Sequence, residues 1–193
     1  MKTFSLPLLV FAVLTSLAHA GDVSNRSSTL INALEVCLKK KASEITAADL
    51  ATVTDLKLPH IHIPAFKDDD FAGLTNLKRL HFYSLFHRVG PKKLNASPPP
   101  IGSKVFAKLS SLEELILADD QLGTQLPDDV FAGLTSLKVL ELSKVTLPKL
   151  PRSMLNLPNI EAVYYDGKGM SPDDYATLKK VLGDKLKPTR EGK

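Results

Sequence analysis

Apolar residues recur along the chain at one fixed spacing, with steps of three, three, three and two residues. Three of the copies share nearly the same words, FAGLTNLKRL, FAKLSSLEEL and FAGLTSLKVL. The last step points two side chains to one face of a short strand, and the earlier steps fit a helical or 3₁₀ turn. The copies are Ala47, Leu50, Val53, Leu56 and Leu58; Phe71, Leu74, Leu77, Leu80 and Phe82; Phe106, Leu109, Leu112, Leu115 and Leu117; Phe131, Leu134, Leu137, Leu140 and Leu142; and Met154, Leu157, Ile160, Val163 and Tyr165.

Repetition of this frame predicts an α/β fold, a short solenoid of about five coils. One coil cannot bury its own apolar edges, whereas stacked coils share a continuous core. We expect the strands to form a parallel sheet on the concave face and the helical or 3₁₀ turns to lie on the convex side. The coil starts at 53, 77, 112, 137 and 160 are separated by 24, 35, 25 and 23 residues. The second coil therefore carries an insertion, which we place at 86–100.

Helical caps are expected at both ends of the solenoid. An amphipathic helix is predicted over 28–42, and Thr46 with Asp49 forms a capping box that opens the next short helix. The last helix begins after Ser171, with Pro172 as its first residue. The apolar stripes are Leu30, Leu34, Cys37 and Leu38 in the first helix and Tyr175, Leu178, Val181 and Leu182 in the last.

The first twenty residues have the pattern of a cleaved signal peptide. Lys2 supplies a positive charge, residues 4–17 are almost all apolar, and Ala18-His19-Ala20 forms a cleavage site. The apolar run is short for a membrane span, and an uncleaved anchor is the alternative. We therefore expect a secreted or periplasmic protein, cleaved after Ala20, with no transmembrane segment in the mature chain.

Domain organisation follows from these elements. The predicted units are the signal peptide at 1–20, an N-terminal capping helix region at 21–44, the solenoid at 45–168, and a C-terminal capping helix with a basic tail at 169–193. A single cysteine, Cys37, excludes an internal disulfide. Its place on the apolar stripe favours a buried thiol over intermolecular pairing.

The small net charge of the chain limits the kinds of partner that it is expected to bind. The chain carries +4, and loss of Lys2 with the signal peptide leaves +3. The tail at 185–193 accounts for +3 by itself and is expected to be solvated and frayed. The rest of the chain is close to neutral, which argues against a nucleic-acid surface.

The frame resembles the leucine-rich-repeat family, whose pattern is LxxLxLxxNxLxxLPxxxFxxL. Residues 112–134 and 137–157 follow this pattern, and the resemblance covers roughly residues 45–165. In the second of these segments the matching residues are Leu137, Leu140, Leu142, Leu147, Leu150, Pro151, Met154 and Leu157. The resemblance implies a repeat solenoid with a concave binding side, without naming a partner.

The chain departs from the family in its loops and caps. The position of the family's Asn, which ties the loop after each strand, holds Ile61, Leu85, Asp120, Val145 and Lys168. The caps lack the paired cysteines usual in vertebrate extracellular members. The opening segment ITAADLATVTDLKL is similar to bacterial exported repeat proteins.

Candidate chemistry is sparse. Asp68-Asp69-Asp70 and Asp128-Asp129 precede frame phenylalanines, where capping of the turns is favoured over a calcium site. His60, His62 and His81 could supply zinc ligands, but no carboxylate or thiolate completes a set by spacing. No nucleophile, phosphate-loop or dinucleotide motif is present in the sequence. We therefore expect neither a metal nor another cofactor, and no catalytic residues.

The strand residues that do not face the core are candidates for binding. We predict a concave-face site made by Lys57, Arg79, His81, Tyr83, Glu114, Ile116, Glu141 and Tyr164. We predict a second contribution from His87, Arg88, Lys92 and Lys93 in the insertion. Tyr and Arg are favoured interface anchors, although a merely solvated sheet face and a passive loop are the alternatives.

These features predict an exported, non-enzymatic binding scaffold. Its partner would be a protein or a cell-surface ligand, and we expect a monomer that binds no nucleic acid. The alternative is a structural component of the cell envelope, tethered electrostatically to acidic polymers or lipid head groups through the basic tail and loop.

Overall fold

The computed structural model describes residues 23–60, 66–84, 102–118, 126–143 and 145–190. Within these ranges the helices are α1 (Ser28–Leu38), α2 (Ala47–Thr52) and α3 (Pro172–Leu182). The strands are β1 (Asp55–His60), β2 (Arg79–Ser84), β3 (Glu114–Ala118), β4 (Val139–Glu141), β5 (Ala162–Tyr164) and β6 (Leu186–Lys187). Short 3₁₀ helices lie at Ala42–Glu44, Arg152–Asn156 and Gly183–Lys185. No helix in the described ranges is both long and apolar enough to cross a membrane.

The strands form one sheet in chain order, and every neighbouring pair is parallel. The repeated frame supplies its core: every frame residue except Ala47 is buried. Between the strands the chain forms turns closed by i to i+3 hydrogen bonds, such as Leu74 N–H to the Phe71 carbonyl. The predicted solenoid, with its parallel sheet and tight convex turns, is therefore confirmed.

Four phenylalanines join the first coils of the core. The Phe66 ring lies 5.7 Å from that of Phe71 and 5.5 Å from that of Phe82, centroid to centroid. The Phe106 ring of the next coil lies 6.0 Å from Phe71 and 6.2 Å from Phe82. Tilted and edge-on aromatic pairs at such distances add to the free energy gained by burial. Phe66 does not belong to the repeated frame, but it is buried against Phe71 and Phe82.

Coils are joined by a repeated backbone contact where the strands begin. The carbonyl of Thr54 accepts hydrogen bonds from both Lys78 N–H and Arg79 N–H of the next coil, at 2.9 and 3.1 Å. The carbonyls of Lys78, Glu113 and Lys138 each accept two N–H groups in the same way. Asn76 and Asn159 add side-chain bonds of 2.8 Å to carbonyls of the preceding coil. Side-chain amides therefore link the coils on this side, whereas Val145, at one family Asn position, is buried apolar.

The N-terminal cap differs from its predicted form at its end. Helix α1 ends at Leu38 instead of continuing to 42, because Lys39 adopts a left-handed conformation with φ 53°. The backbone N–H of Lys39 still bonds to the Glu35 carbonyl, and the Glu35 carboxylate accepts from Ala42 N–H at 2.7 Å. The side chain of Glu35 thus stabilises the turn that replaces the last helical residues.

The prediction of a buried Cys37 thiol was wrong. Cys37 is exposed at the rim of the cap, with Sγ 3.8 Å from the carbonyl oxygen of Asp55. Because α1 ends one residue later, no further helical turn covers this position. Partial burial and the charge of Asp55 nevertheless raise the pKa of the thiol.

Both predicted helix N-caps are confirmed. Thr46 Oγ1 accepts from Asp49 N–H at 3.2 Å, and the Asp49 carboxylate accepts from Thr46 N–H at 2.9 Å. A hydrogen bond from Lys40 and those from Thr46 lower the pKa of Asp49 to about 2. At the other end, Ser171 Oγ accepts from Asp174 N–H at 3.2 Å.

The C-terminal segment corrects two predictions. Val181 is 51% exposed, so the apolar stripe of α3 consists of buried Leu178 and Leu182 with half-buried Tyr175. The basic tail is not frayed throughout, because Leu186 and Lys187 form β6 and pair with β5. The N–H of Tyr165 donates to the Lys187 carbonyl at 3.0 Å. This pairing holds the tail against the last coil.

Substitution of Gly133 by Ala should destabilise the fold. An added Cβ would lie 2.5 Å from Ala107 Cα and 2.6 Å from its carbonyl oxygen, in the preceding coil. Overpacking of backbone against backbone costs about 1–3 kcal/mol in the free energy of unfolding. Urea unfolding measures this loss. Lys108→Ala, at the equivalent position one coil earlier, is the control, since Lys108 is exposed and its replacement should change stability by less than about 0.5 kcal/mol.

Tyr165 should make stability depend on alkaline pH. Its hydroxyl donates to the Lys168 carbonyl at 2.6 Å, and burial raises its pKa from 10.0 to about 12. Because the folded state favours the neutral phenol, this contribution is full below pH 10 and is lost as the pH rises towards 12. Tyr165→Phe should lower the free energy of unfolding by about 0.5–1.5 kcal/mol at pH 7. Its alkaline stability profile should be flatter than that of the wild type, and an equally steep profile would contradict the assignment.

Candidate functional site

The concave face presents its side chains in columns across the strands. The sheet register places five of the predicted residues side by side, one per strand, as the centre column: Lys57, His81, Ile116, Glu141 and Tyr164. Arg79 and Glu114 are partners in the neighbouring column, and Tyr83 of β2 lies opposite Ala118 of β3. The structure therefore brings the predicted concave-face residues together on one sheet.

The charges at the β1–β3 end of this face are paired between coils. Arg79 Nε lies 2.7 Å from Asp55 Oδ2, and the hydrogen bond with Asp55 is the main cause of its raised pKa. His81 Nε2 lies 3.4 Å from Glu114 Oε2. Lys57 is exposed and has no ion-pair partner among the residues that the structure describes. Arg79 and Lys57 thus remain accessible to a partner, whereas His81 is largely enclosed.

The β4–β5 end of the face is covered by the tail. Glu141 is 8% exposed, although the sequence predicts an accessible carboxylate there. Its Oε1 accepts from the Ser143 hydroxyl at 2.7 Å, and its Oε2 lies 3.6 Å from Arg190 Nη1. The Arg190 guanidinium carbon lies 3.9 Å from the centroid of the Tyr164 ring. Glu141 and Tyr164, predicted as open binding residues, are instead occupied by Arg190.

Sequence reasoning missed the role of Arg190. The only signal was Leu186, an apolar residue in an otherwise basic and polar tail. A two-residue strand has no measurable alternation, so the pattern could not reveal β6. The predicted insertion residues His87, Arg88, Lys92 and Lys93 lie outside the described residues, and their part in binding stays a prediction.

A second polar surface lies on the flank where the strands begin. It is an open groove of about 440 Å³, lined by Lys78, Ser111, Glu113, Ser136, Lys138, Asn159 and Glu161. Glu113 Oε1 lies 3.3 Å from Lys78 Nζ, and Glu113 Oε2 lies 2.7 Å from Lys138 Nζ. Alternating charges therefore link three coils. Hydrogen bonds from these two lysines lower the pKa of Glu113. The arrangement stabilises the stacking of coils and leaves little unpaired charge.

Within the two acidic runs, the predicted capping of a turn is seen at Asp70. Asp70 is 1% exposed, and its two oxygens accept from Ser27 N–H and Lys67 N–H, both at 3.0 Å. Arg26 donates to the carbonyl oxygens of Asp70 and Ala72, so the N-terminal segment is locked onto the first turn.

The neighbouring acids form surface ion pairs with a later coil. Asp69 Oδ1 lies 2.6 Å from Lys108 Nζ, and Asp128 Oδ2 lies 3.0 Å from Lys149 Nζ. Among the described residues, no three His, Cys, Asp or Glu side chains are grouped to hold a metal ion. His60 lies in β1, and His62 is outside the described residues.

Asp70→Asn should destabilise the protein far more than Asp69→Asn. Both oxygens of Asp70 accept from backbone N–H groups, so an amide would set an NH₂ group against one of these donors. We expect a loss of about 1–3 kcal/mol in the free energy of unfolding for Asp70→Asn. Asp69 is exposed, and its replacement should change little. Equal unfolding midpoints for the two variants would contradict the stabilising role assigned to the hydrogen bonds of Asp70.

Sequence similarity links about two thirds of the chain to two kinds of known protein. No family model matches the chain. The chain is 32% identical over 140 residues to lumican of Gallus gallus, covering 64% of this chain and 40% of lumican. It is 27% identical over 129 residues to Toll-like receptor 8 of Homo sapiens, covering 64% of this chain and 12% of the receptor. The chain thus spans less than half the length of these curated relatives.

Two internalins of Listeria monocytogenes are among the solved structures that match the chain. Internalin C2 matches with a TM-score of 0.45 and 19% identity, over 85% of this chain and 75% of that one. A second internalin matches with a TM-score of 0.39 and 15% identity, over 83% of this chain and 54% of that one.

Proposed function

We propose that this leucine-rich-repeat protein is an exported, non-enzymatic binding protein that recognises a protein or cell-surface ligand through its concave face. The observation that carries the proposal is the register of the sheet, which aligns one side chain per strand into columns on the face away from the core. Stacked-repeat proteins use such extended surfaces to bind partners. The repeat family typically supplies binding scaffolds rather than enzymes.

The accessible part of this surface lies at β1 and β2. Lys57 and Arg79 are exposed there, next to the strand position of Tyr83. Arg and Tyr carry much of the free energy of protein interfaces, because they combine a large contact area with hydrogen-bonding groups. Arg79 is already paired with Asp55, so a partner would be oriented chiefly by an acidic group complementary to Lys57.

Export is the second part of the proposal. It rests on the sequence of residues 1–20, which has a charged start, an apolar run and a small-residue cleavage site. The first 22 residues lie outside the described part of the chain. Secretion or passage to a periplasm would place the concave face where extracellular or envelope ligands are present.

An electrostatic tether through the tail has less support. Arg190 contacts Glu141 and Tyr164. Part of the positive charge of the tail is therefore neutralised within the molecule. This favours recognition through the sheet over attachment through the tail.

The test is capture of a partner by the mature protein, followed by a binding titration with concave-face variants. Lys57→Ala with Arg79→Ala should weaken the affinity at least about tenfold, which corresponds to about 1.4 kcal/mol. The matched control is Lys104→Ala with Lys179→Ala, since both lysines are exposed on other surfaces. All variants are checked by thermal unfolding. Equal affinities of the two double variants would overturn the assignment to the concave face.

A further inference from the structure

The occupied end of the concave face has the composition of a site for a planar cation. Glu141 is almost fully buried, and a buried carboxylate requires a positive partner or several hydrogen-bond donors. The hydroxyl of Ser143 satisfies Oε1 at 2.7 Å. The second oxygen, Oε2, faces the cation. The site therefore has a fixed acceptor on one side.

An aromatic wall completes this site. Tyr164 is the register partner of Glu141 on the next strand, so both side chains rise from adjacent positions of the sheet. The guanidinium of Arg190 lies over the ring, with Cζ 3.9 Å from its centroid. Arginine stacks on aromatic faces and pairs with carboxylates at the same time, whereas lysine offers only a point charge. The arrangement therefore matches the two faces of a guanidinium group.

The present occupant fills the site but is only partly enclosed. Arg190 lies only three residues beyond the end of β6, and its side chain remains 39% exposed. Its ion pair with Glu141 spans 3.6 Å, longer than a strong charge-assisted hydrogen bond. A hydrogen bond with Tyr164 and the charges of Glu141 and Glu114 raise the pKa of Arg190, so the group stays cationic. Such a contact can be exchanged for a better one.

We propose that Glu141, Ser143 and Tyr164 form a recognition site for an arginine side chain of a protein partner, and that Arg190 occupies this site until the partner displaces it. This inference rests on the proposed function, because it assigns a role to the second end of the same concave face. A partner would then present an acidic group to Lys57 and an arginine to Glu141.

The test uses N-acetyl-L-arginine amide as the probe, titrated into the full mature chain by NMR or calorimetry. Arg190→Ala should bind the probe at least about tenfold more tightly than the wild type, because an occupied site reduces the apparent affinity by its free fraction. Adding Glu141→Gln to Arg190→Ala should abolish the gain. Tyr164→Leu in the Arg190→Ala background is a second variant, which removes stacking while keeping the carboxylate.

Two neutral or differently shaped probes test the selectivity. N-acetyl-L-citrulline amide, which has the same shape without the charge, should not bind to Arg190→Ala, and N-acetyl-L-lysine amide should bind more weakly than the arginine probe. No gain of arginine binding in Arg190→Ala, or a gain that survives both Glu141→Gln and Tyr164→Leu, would overturn the proposal.

Failure of the two proposals can be told apart. A captured partner whose affinity depends on Lys57 and Arg79 but not on Arg190 or Glu141 would overturn only the arginine site. The opposite result is also possible: Arg190→Ala binds the probe, but no concave-face variant changes the affinity for the captured partner. That result would overturn only the proposed function.

Discussion

The carbonyl that precedes each of the strands β1 to β4 accepts two N–H groups from the following coil, and the stacking of the coils depends on this contact. It fixes each coil on the next with the same offset, so that leucines meet leucines in the core. It also aligns the strands residue by residue, from Asp55 opposite Arg79 to Glu141 opposite Tyr164. A shift of one residue would exchange the buried and open faces of a strand. The core and the concave face are thus set by one backbone interaction.

The parts of the fold that were predictable from the sequence are those set by a period or by a local motif. The spacing of Leu137, Leu140 and Leu142 is repeated in every coil. Stacking the coils buries all of these apolar side chains in one core. The capping residues Thr46 and Ser171 act within three positions of themselves. Such signals need no knowledge of distant residues.

The errors lie where a distant partner or a single backbone angle decides the outcome. Lys39 ends α1 through a left-handed conformation, for which its side chain gives no signal. Strand β6 is two residues long and exists because β5 offers an unpaired edge. The charges of the concave face pair across coils, as Arg79 does with Asp55 at a separation of 24 residues and His81 with Glu114 at 33. Individual charges were therefore visible in the sequence, but their neutralisation was not.

The short strand β6 also decides how the sheet ends. An exposed edge of a parallel sheet offers unpaired N–H and C=O groups to any other extended chain, which favours aggregation. Here the last described strand contributes only two residues, and Pro188, which has no backbone N–H, follows it directly. Proline cannot donate to an added strand, so the sheet can grow little beyond this point. The same segment that carries Arg190 to the concave face thereby leaves little backbone at this edge with which another extended chain could pair.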